Sequence, residues 1–158
     1  MPILVLHNIR SSHNVGSMFR TADGAGVERI VLCGYTPGPL DPKGKERPDF
    51  AKVSLGAQNF VPYSREPELK DAISKLKAEG YKILAIELAP GATNIYDYKH
   101  TSGEKLAIVL GNEVDGLAPE DLALCDEVIE IPMRGQKYSL NVSVACGVAL
   151  FVLLKQIQ

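Results

Sequence analysis

The segment from His7 to Arg20 concentrates polar side chains that can bind an anion, with two Asn, two Arg and three Ser in fourteen residues. Arg20 lies six residues after Asn14, among small and apolar residues. A guanidinium in such surroundings needs an anionic partner, and phosphate is a natural one. Asn14 is also suited to cap a helix, but capping does not explain Arg10 and Arg20 together. The segment therefore predicts a phosphate-binding loop that leads into a helix.

A second polar turn follows an apolar run. Residues Ile108–Leu110 lead into Gly111-Asn112-Glu113, and the turn ends at Gly116. Two glycines permit a tight turn and let a ligand approach the backbone closely. An ordinary surface turn explains the same pattern, so by itself GNExxG is a weak signal.

A third polar segment joins the apolar run Ile129–Ile131 to an apolar helix. Pro132-Met133 follows the run, and Ser139 and Asn141 precede the helix. Either side chain is suited to cap the N-terminus of the helix, and this role would explain its presence on structural grounds alone. The helix itself reads VSVACGVALFVLL, a pattern typical of a helix buried almost all round or lying at an interface.

Strands and helices alternate around these three segments. Runs rich in Ile, Val and Leu predict strands buried on both faces, at Ile3–Leu6, Arg29–Cys33, Lys82–Leu88, Leu106–Leu110 and Glu127–Ile131. Helices are predicted at 14–25, 49–58, 66–79, 119–124 and 140–156. Gly26 and Gly80 fit helix C-caps, while Pro67 and Pro119 fit first turns. The alternation predicts an α/β fold with a mainly parallel sheet and helices on both faces.

Two long loops and an uneven charge distribution complete the pattern. The loops are Tyr35–Asp49, rich in Pro, Gly and basic residues, and Ala89–Gly103. Residues 1–65 carry a net charge of +3 and residues 71–126 a net charge of −5. A basic N-terminal half favours a phosphate-binding face, although charge alone leaves ordinary scatter equally open. The basic side chains expected to contact phosphates on such a face are Arg10, Arg20, Lys43, Lys45, Arg47 and Lys52.

Bulk properties exclude several classes of protein. No apolar run reaches the roughly 18 residues of a membrane span, and no basic region precedes the first apolar stretch, so a cytoplasmic protein without membrane contact is expected. Cys33, Cys125 and Cys146 are predicted to be buried, reduced thiols. The three histidines form no ligand-spaced set with them, so no metal site is predicted. A generic nucleotide-binding domain would need a GxGxxG or GxxxxGK[ST] motif, and the sequence has neither.

The three polar segments, in this order, resemble the three motifs of SpoU-type RNA ribose methyltransferases of the SPOUT superfamily. Asn14, Gly16 and Arg20 resemble the first motif, and Gly111-Asn112-Glu113 with Gly116 resembles the second. Ile131-Pro132-Met133 and Ser139-Leu140-Asn141-Val142-Ser143 resemble the third. Gly34-Tyr35-Thr36-Pro37 and residues 52–57 are also similar to the family, so the resemblance covers nearly the whole chain.

The resemblance implies S-adenosylmethionine as cofactor and a ribose 2′-hydroxyl of tRNA or ribosomal RNA as methyl acceptor. It also implies a deep C-terminal trefoil knot, a rare exception to the rule against threaded chains, and a homodimer in which one subunit's Arg20 approaches the other's cofactor. The residues implied to meet the cofactor are Leu88, Gly111, Ile131, Met133 and Leu140. Those implied to be catalytic are Arg20, Asn14, Glu113, Ser139 and Asn141.

Methyl transfer to a ribose 2′-hydroxyl requires the hydroxyl to lose its proton, and this hydroxyl is a poor acid. The resemblance implies that Arg20 takes part in this step. Because an ordinary guanidinium cannot act as a base, we expect Arg20 to bind the substrate phosphate and stabilise the forming alkoxide, with the proton acceptor left open. Ser139 and Asn141 are expected to orient Arg20 or the ribose. Glu113 is expected to hold the second-motif turn or to bind substrate, and Asn14 to position the first-motif loop.

The first motif begins at residue 8, so the sequence predicts a single catalytic domain over residues 1–158, without the N-terminal RNA-binding domain of many relatives. Two alternative functions remain. One is a SPOUT enzyme that methylates a base nitrogen, which the pair Asn14 and Arg20 disfavours. The other is an RNA-binding relative that has lost catalysis. It is disfavoured by the presence of Arg20, Glu113, Ser139 and Asn141.

Overall fold

The computed structural model describes residues 1–155, which form one sheet with helices on both faces. In this part of the chain the strands are β1 Ile3–His7, β2 Arg29–Cys33, β3 Tyr63–Glu66, β4 Tyr81–Ile86, β5 Thr93–Asn94, β6 Lys105–Leu110 and β7 Glu127–Glu130. Their order in the sheet is β3-β2-β1-β6-β4-β7-β5, and every pair of neighbours is parallel. The predicted fold class is confirmed. The trefoil knot stays a prediction.

All five predicted strands are present, and two further strands lie at the sheet edges. Strand β3, Tyr63–Glu66, is largely exposed, and β5, Thr93–Asn94, spans only two residues of the loop Ala89–Gly103. Neither has the apolar run or the length from which a buried strand is recognised. The sequence therefore predicted the sheet interior and missed its two edges.

The helices are α1 Ser12–Ala25, α2 Pro48–Ser54, α3 Leu69–Ala78, α4 Pro119–Leu122 and α5 Val142–Lys155, with a 3₁₀ turn at Ala57–Asn59. The predicted helix 49–58 is interrupted because Leu55 and Gly56 have positive φ values of 49° and 89°. The predicted helix 140–156 begins two residues later than expected, and its last position lies outside the described residues. None of the helices within residues 1–155 is long and apolar enough to cross a membrane.

Most of the predicted helix ends are correct, with two differences. Gly26 ends α1 with φ 69°, Gly80 follows α3 with φ 85°, and Pro119 opens α4. Pro67, expected in a first turn, precedes α3 instead, because that helix begins at Leu69 with Glu68 as its N-cap. Asn14 does not cap α1: Ser11 is the N-cap, and its side chain accepts from the Asn14 backbone N–H at 3.2 Å.

Two apolar layers fill the space on either side of the sheet. One layer joins α1 and α5 to one face of the strands, and the other joins α3 to the opposite face. Cys33 and Cys146 are buried in these layers, and burial raises the pKa of each thiol to about 12. Cys125 is only half-buried, which corrects the expectation of full burial, although burial still raises the pKa of its thiol to about 11.

Candidate active site

Three strand-end loops meet at one edge of the sheet. Strands β1 and β6 run side by side in register, with Leu6 opposite Leu110, and β4 flanks β6 on its other side. Because neighbouring parallel strands end at the same edge, the first- and second-motif loops must adjoin each other there. Strand β7, paired to β4, brings the third-motif segment to the same edge. The segment continues from Ile131 to Asn141, where α5 begins.

The Glu113 carboxylate fastens the second-motif turn to the first-motif loop. Its Oε2 accepts from the Arg10 backbone N–H at 2.8 Å, and its Oε1 accepts from the Ser11 backbone N–H at 3.0 Å. Oε1 also accepts from Asn14 Nδ2 at 3.0 Å. Partial burial would raise the pKa of Glu113, but these donors outweigh it and hold the pKa below its ordinary value of 4.5. The side chain is therefore ionised at neutral pH.

Asn14 also contacts the third motif. Its Oδ1 accepts from Asn141 Nδ2 at 3.4 Å, while Asn141 Oδ1 accepts from the Ser143 backbone N–H at 2.9 Å and so caps α5. The capping role considered for Asn141 is thus present, and its amide nitrogen is still available for Asn14. One polar network, Glu113–Asn14–Asn141, therefore joins residues that lie 99 and 127 positions apart.

An open cavity of about 260 Å³ borders this network. All five residues predicted to meet the cofactor line it, namely Leu88, Gly111, Ile131, Met133 and Leu140. Of the predicted catalytic residues, Glu113, Ser139 and Asn141 line it as well. Its walls combine apolar strand ends with the turn from Gly111 to Gly116, a combination that suits an adenosine-containing ligand.

The second-motif turn is shaped by close approach of its own backbone. A Cβ on Gly111 would lie 2.7 Å from the carbonyl carbon of Gly116, so no side chain fits there. Asn112 stabilises the turn, since its Oδ1 accepts from the backbone N–H groups of Val114 at 2.8 Å and Asp115 at 3.0 Å. Its Nδ2 donates to the Asn8 carbonyl at 2.9 Å. These contacts, together with the absence of a side chain at Gly111, account for the tight shape of the turn.

Two further cavity residues were not identified from the sequence. Glu87 follows β4 directly, and Tyr138, which is 87% exposed, precedes the third-motif Ser139. Glu87 had a detectable signal, because its carboxylate directly follows the apolar run Ile83–Ile86 of a predicted strand. Tyr138 lies in a polar loop, and no feature of the sequence marked it as a cavity residue.

Arg20 lies apart from the cavity. Its side chain is exposed on α1 and does not line the cavity, and its guanidinium makes no ion pair or hydrogen bond with any residue in the range 1–155. Asn14 also lies outside the cavity lining, although it touches two residues that are part of it. Within one subunit the structure therefore brings together the predicted catalytic residues except Arg20.

No imidazole lines the cavity in the described part of the chain. His7, at the end of β1, lies 3.5 Å from Asp121 through its Nε2. Burial lowers the pKa of His7 even though Asp121 acts in the opposite direction, so the ring is neutral at neutral pH. His13 is exposed on α1.

Most of the basic side chains predicted to bind RNA are solvent-exposed. Arg10, Lys43, Lys45 and Lys52 are exposed, and within residues 1–155 none of them forms an ion pair. Arg47 differs, because it is half-buried at the N-cap of α2 and its Nε is buried without a hydrogen-bond partner among the described residues. It is the least accessible member of the set.

Comparison with known proteins identifies the family. The model of the SpoU rRNA Methylase family matches residues 1–151. The chain is 39% identical to the 23S rRNA (guanosine-2′-O-)-methyltransferase RlmB of Vibrio cholerae, over 98% of this chain and 59% of that protein. It is 34% identical to the protein of the same name from Escherichia coli K12, over 98% and 60%. The chain thus spans about three-fifths of the length of these relatives.

Two solved structures give the same result. An AdoMet-bound rRNA methyltransferase from Sinorhizobium meliloti superimposes with a TM-score of 0.88 at 27% identity, covering 99% of this chain and 57% of that one. A structure described as giving insights into 2-OH methylation of C/U34 on tRNA has a TM-score of 0.81 at 28% identity, covering 99% of this chain and 95% of that one. On its motifs, its fold and the family match, the chain belongs to the SpoU rRNA methylase family.

Proposed function

We propose that this domain transfers a methyl group from S-adenosylmethionine to a ribose 2′-hydroxyl in RNA. The observation that carries the proposal is the network Glu113–Asn14–Asn141, which joins all three family motifs at the border of a 260 Å³ cavity. The names of the relatives state guanosine-2′-O methylation, and one solved relative contains AdoMet. Both agree with a cofactor held by the strand-end loops.

The cavity residues fit the cofactor by their chemistry. Leu88, Ile131 and Leu140 offer apolar surface to an adenine ring, and the turn from Gly111 to Gly116 forms part of the cavity wall. When bound, S-adenosylmethionine supplies an electrophilic methyl group on a sulfonium centre. The protein then has to align the acceptor oxygen with it, at about 3 Å.

Ser139 and Asn141 orient the ribose in this proposal, since both line the cavity beside Glu113. Glu113 acts as a positioning residue rather than as a base: it is already ionised, and its oxygens accept from Arg10, Ser11 and Asn14. Asn14 holds the first-motif loop against both other motifs. The identity of the proton acceptor is left open by this assignment.

Arg20 completes the site from a second copy of the chain. An exposed guanidinium without a partner among the described residues is free to bind a phosphate and to stabilise a forming alkoxide. Helix α5 supports the dimer, because Val144 and Phe151, which are 51% and 57% exposed, lie seven residues apart on one face. This apolar face of α5 lies beside α1, and a second copy of the chain would cover it.

The RNA would lie along the basic N-terminal half. The Arg10 backbone N–H donates to Glu113, so Arg10 adjoins the polar network at the cavity. Lys43 and Lys45 are exposed on the loop Tyr35–Asp49, and Lys52 is exposed on α2. Their phosphate contacts would be sequence-independent, so binding should weaken as salt is raised. Arg47 contributes less because it is half-buried.

Ribosomal RNA is the first candidate substrate, because the curated relatives act on 23S rRNA according to their names. Transfer RNA is the second candidate. It is suggested by the similarity, at 28% identity and a TM-score of 0.81, to the protein associated with C/U34 of tRNA.

The decisive experiment incubates the protein and S-adenosylmethionine with rRNA and tRNA from cells that lack the gene, followed by nuclease digestion and mass spectrometry. A ribose-methylated nucleoside in one RNA class supports the proposal and identifies the substrate. A methylated base would instead favour the base-nitrogen alternative. Cofactor binding without methylation of either RNA would favour the inactive RNA-binding alternative.

A further inference from the structure

Glu87 occupies a fixed position at the wall of the cavity. It follows β4, and its backbone N–H donates to the Ile129 carbonyl at 3.1 Å, which extends the pairing of β4 with β7 by one residue. Its side-chain Oε1 accepts from the Leu88 backbone N–H at 2.9 Å, and its Oε2 accepts from the Leu117 backbone N–H at 3.0 Å. Both carboxylate oxygens are therefore held by backbone donors.

The second-motif turn leaves room for this carboxylate. Gly116 has a φ of 65°, and a Cβ built on it would collide with Glu87 Oε2. Glycine is thus required at 116 both by the backbone conformation and by the space that Glu87 fills. The Glu87 carboxylate therefore packs against the turn in the space that a side chain at position 116 would need.

The carboxylate still has acceptor capacity toward the cavity. An ionised carboxylate has about four acceptor positions, and the protein occupies two of those of Glu87. No Lys or Arg lines the cavity among the described residues, so no cation neutralises it there. A ligand group facing Glu87 must therefore donate hydrogen bonds.

We infer that Glu87 binds the ribose hydroxyls of the adenosine part of S-adenosylmethionine, an inference that rests on the function proposed above. A vicinal diol offers two adjacent donors to one carboxylate, and a carboxylate at a strand end is a general way to hold a nucleotide ribose. The apolar residues Ile86 and Leu110 line the cavity near it and suit the neighbouring adenine ring. Glu87 is then a specificity-determining residue for the cofactor.

The test is a cycle of calorimetric titrations that needs no RNA. Wild-type protein and Glu87→Ala are titrated with S-adenosylmethionine, with 5′-methylthioadenosine, which lacks the amino-acid part, and with its 2′-deoxy and 3′-deoxy counterparts. For wild type, removing a hydroxyl should weaken binding by about 10-fold or more, because its charged partner is left without a donor. For Glu87→Ala, removing the same hydroxyl should change the affinity little. Glu120→Ala, which removes an exposed carboxylate on α4, is the matched control and should behave as wild type.

Each other outcome overturns the inference. If Glu87→Ala weakens the diol ligand and the deoxy ligands by the same factor, Glu87 only stabilises the turn at Leu117. If it weakens S-adenosylmethionine but not methylthioadenosine, the carboxylate interacts with a cationic group of the cofactor, its ammonium or its sulfonium, instead of the ribose. Should Glu87→Ala fail to fold, as judged by its melting curve, Glu87→Gln is used in the same cycle. Wild-type protein that binds none of the ligands would refute the proposed function itself.

Discussion

Asn14 Nδ2 donates to Glu113 Oε1 at 3.0 Å, although 99 positions separate the two residues. Asn14 stands in the first turn of α1, and Glu113 stands in the turn after β6. The contact exists because β1 and β6 are neighbours in the sheet and end together. It joins the first-motif loop to the second-motif turn, and the contact of Asn14 with Asn141 connects both to the start of α5.

Replacing Glu113 with Ala should destabilise the protein, because the Arg10 and Ser11 backbone N–H groups and the Asn14 amide lose their acceptor. Hydrogen bonds to a charged group suggest a loss of about 2 kcal/mol. Urea unfolding of wild type and Glu113→Ala measures it. Asp115→Ala, an exposed acidic residue in the same turn, is the control and should change stability little. Equal stability of all three proteins would contradict the role assigned to Glu113.

The contribution of Glu113 should depend on pH in a defined direction. Its pKa in the folded protein is lowered from 4.5 despite partial burial, so its stabilisation is fully present above pH 4.5 and is lost as the pH falls through the folded pKa. The stability difference between wild type and Glu113→Gln should therefore be large at about pH 7 and shrink toward about pH 3. A difference that grows on acidification would show that the pKa shift has the opposite sign.

Substituting Arg20 should affect methyl transfer and leave cofactor binding intact, because Arg20 lies outside the cavity of its own subunit. Loss of one such electrostatic contact typically lowers the rate by on the order of 10²–10³. Arg20→Lys should also be impaired, since lysine keeps the charge without the planar fork. Single-turnover methylation measures the rate, and calorimetry measures cofactor affinity. Wild-type rates in Arg20→Ala, or loss of cofactor binding, would each require a different role for Arg20.

The apolar face of α5 should be needed for dimerisation. We expect sedimentation at about twice the chain mass of 17.1 kDa for wild type. Val144→Glu or Val148→Glu should shift the protein to monomer or unfold it, because an unpaired buried charge is costly. Lys70→Glu on α3, at the opposite face of the sheet, is the control. A monomeric wild type with full activity would refute the proposal that Arg20 acts across the dimer.

Gly116→Ala should weaken cofactor binding and lower stability. The new Cβ would meet the Glu87 carboxylate, and the φ of 65° is strained for alanine by about 1–2 kcal/mol. Gly24→Ala is a matched control, because Gly24 lies inside α1 with open space around its Cβ position. There the substitution should stabilise the protein by up to about 1 kcal/mol. Melting temperatures and cofactor titrations separate the two variants, and identical behaviour would contradict the packing of Glu87 against Gly116.

The sequence by itself determined the fold class and the sheet interior. Buried parallel strands such as Leu106–Leu110 are nearly continuous apolar runs, which local composition reveals. It also predicted part of the cavity lining, because the resemblance to the family implied that Leu88, Gly111, Ile131, Met133 and Leu140 meet the cofactor. It missed β3 and β5, whose exposed or very short segments carry no such run.

Only the tertiary structure decided how the polar residues are paired. Nothing in the spacing of Asn14, Glu113 and Asn141 states that they form one network, because the pairing depends on which strands become neighbours in the sheet. The fold likewise places the Arg10 and Ser11 backbone N–H groups and the Asn14 amide against Glu113, and these donors outweigh the effect of partial burial and keep its carboxylate ionised. The placement of Glu87 against Gly116 arises from the same cause, since β4 and β6 are separated along the chain and adjacent only in the fold.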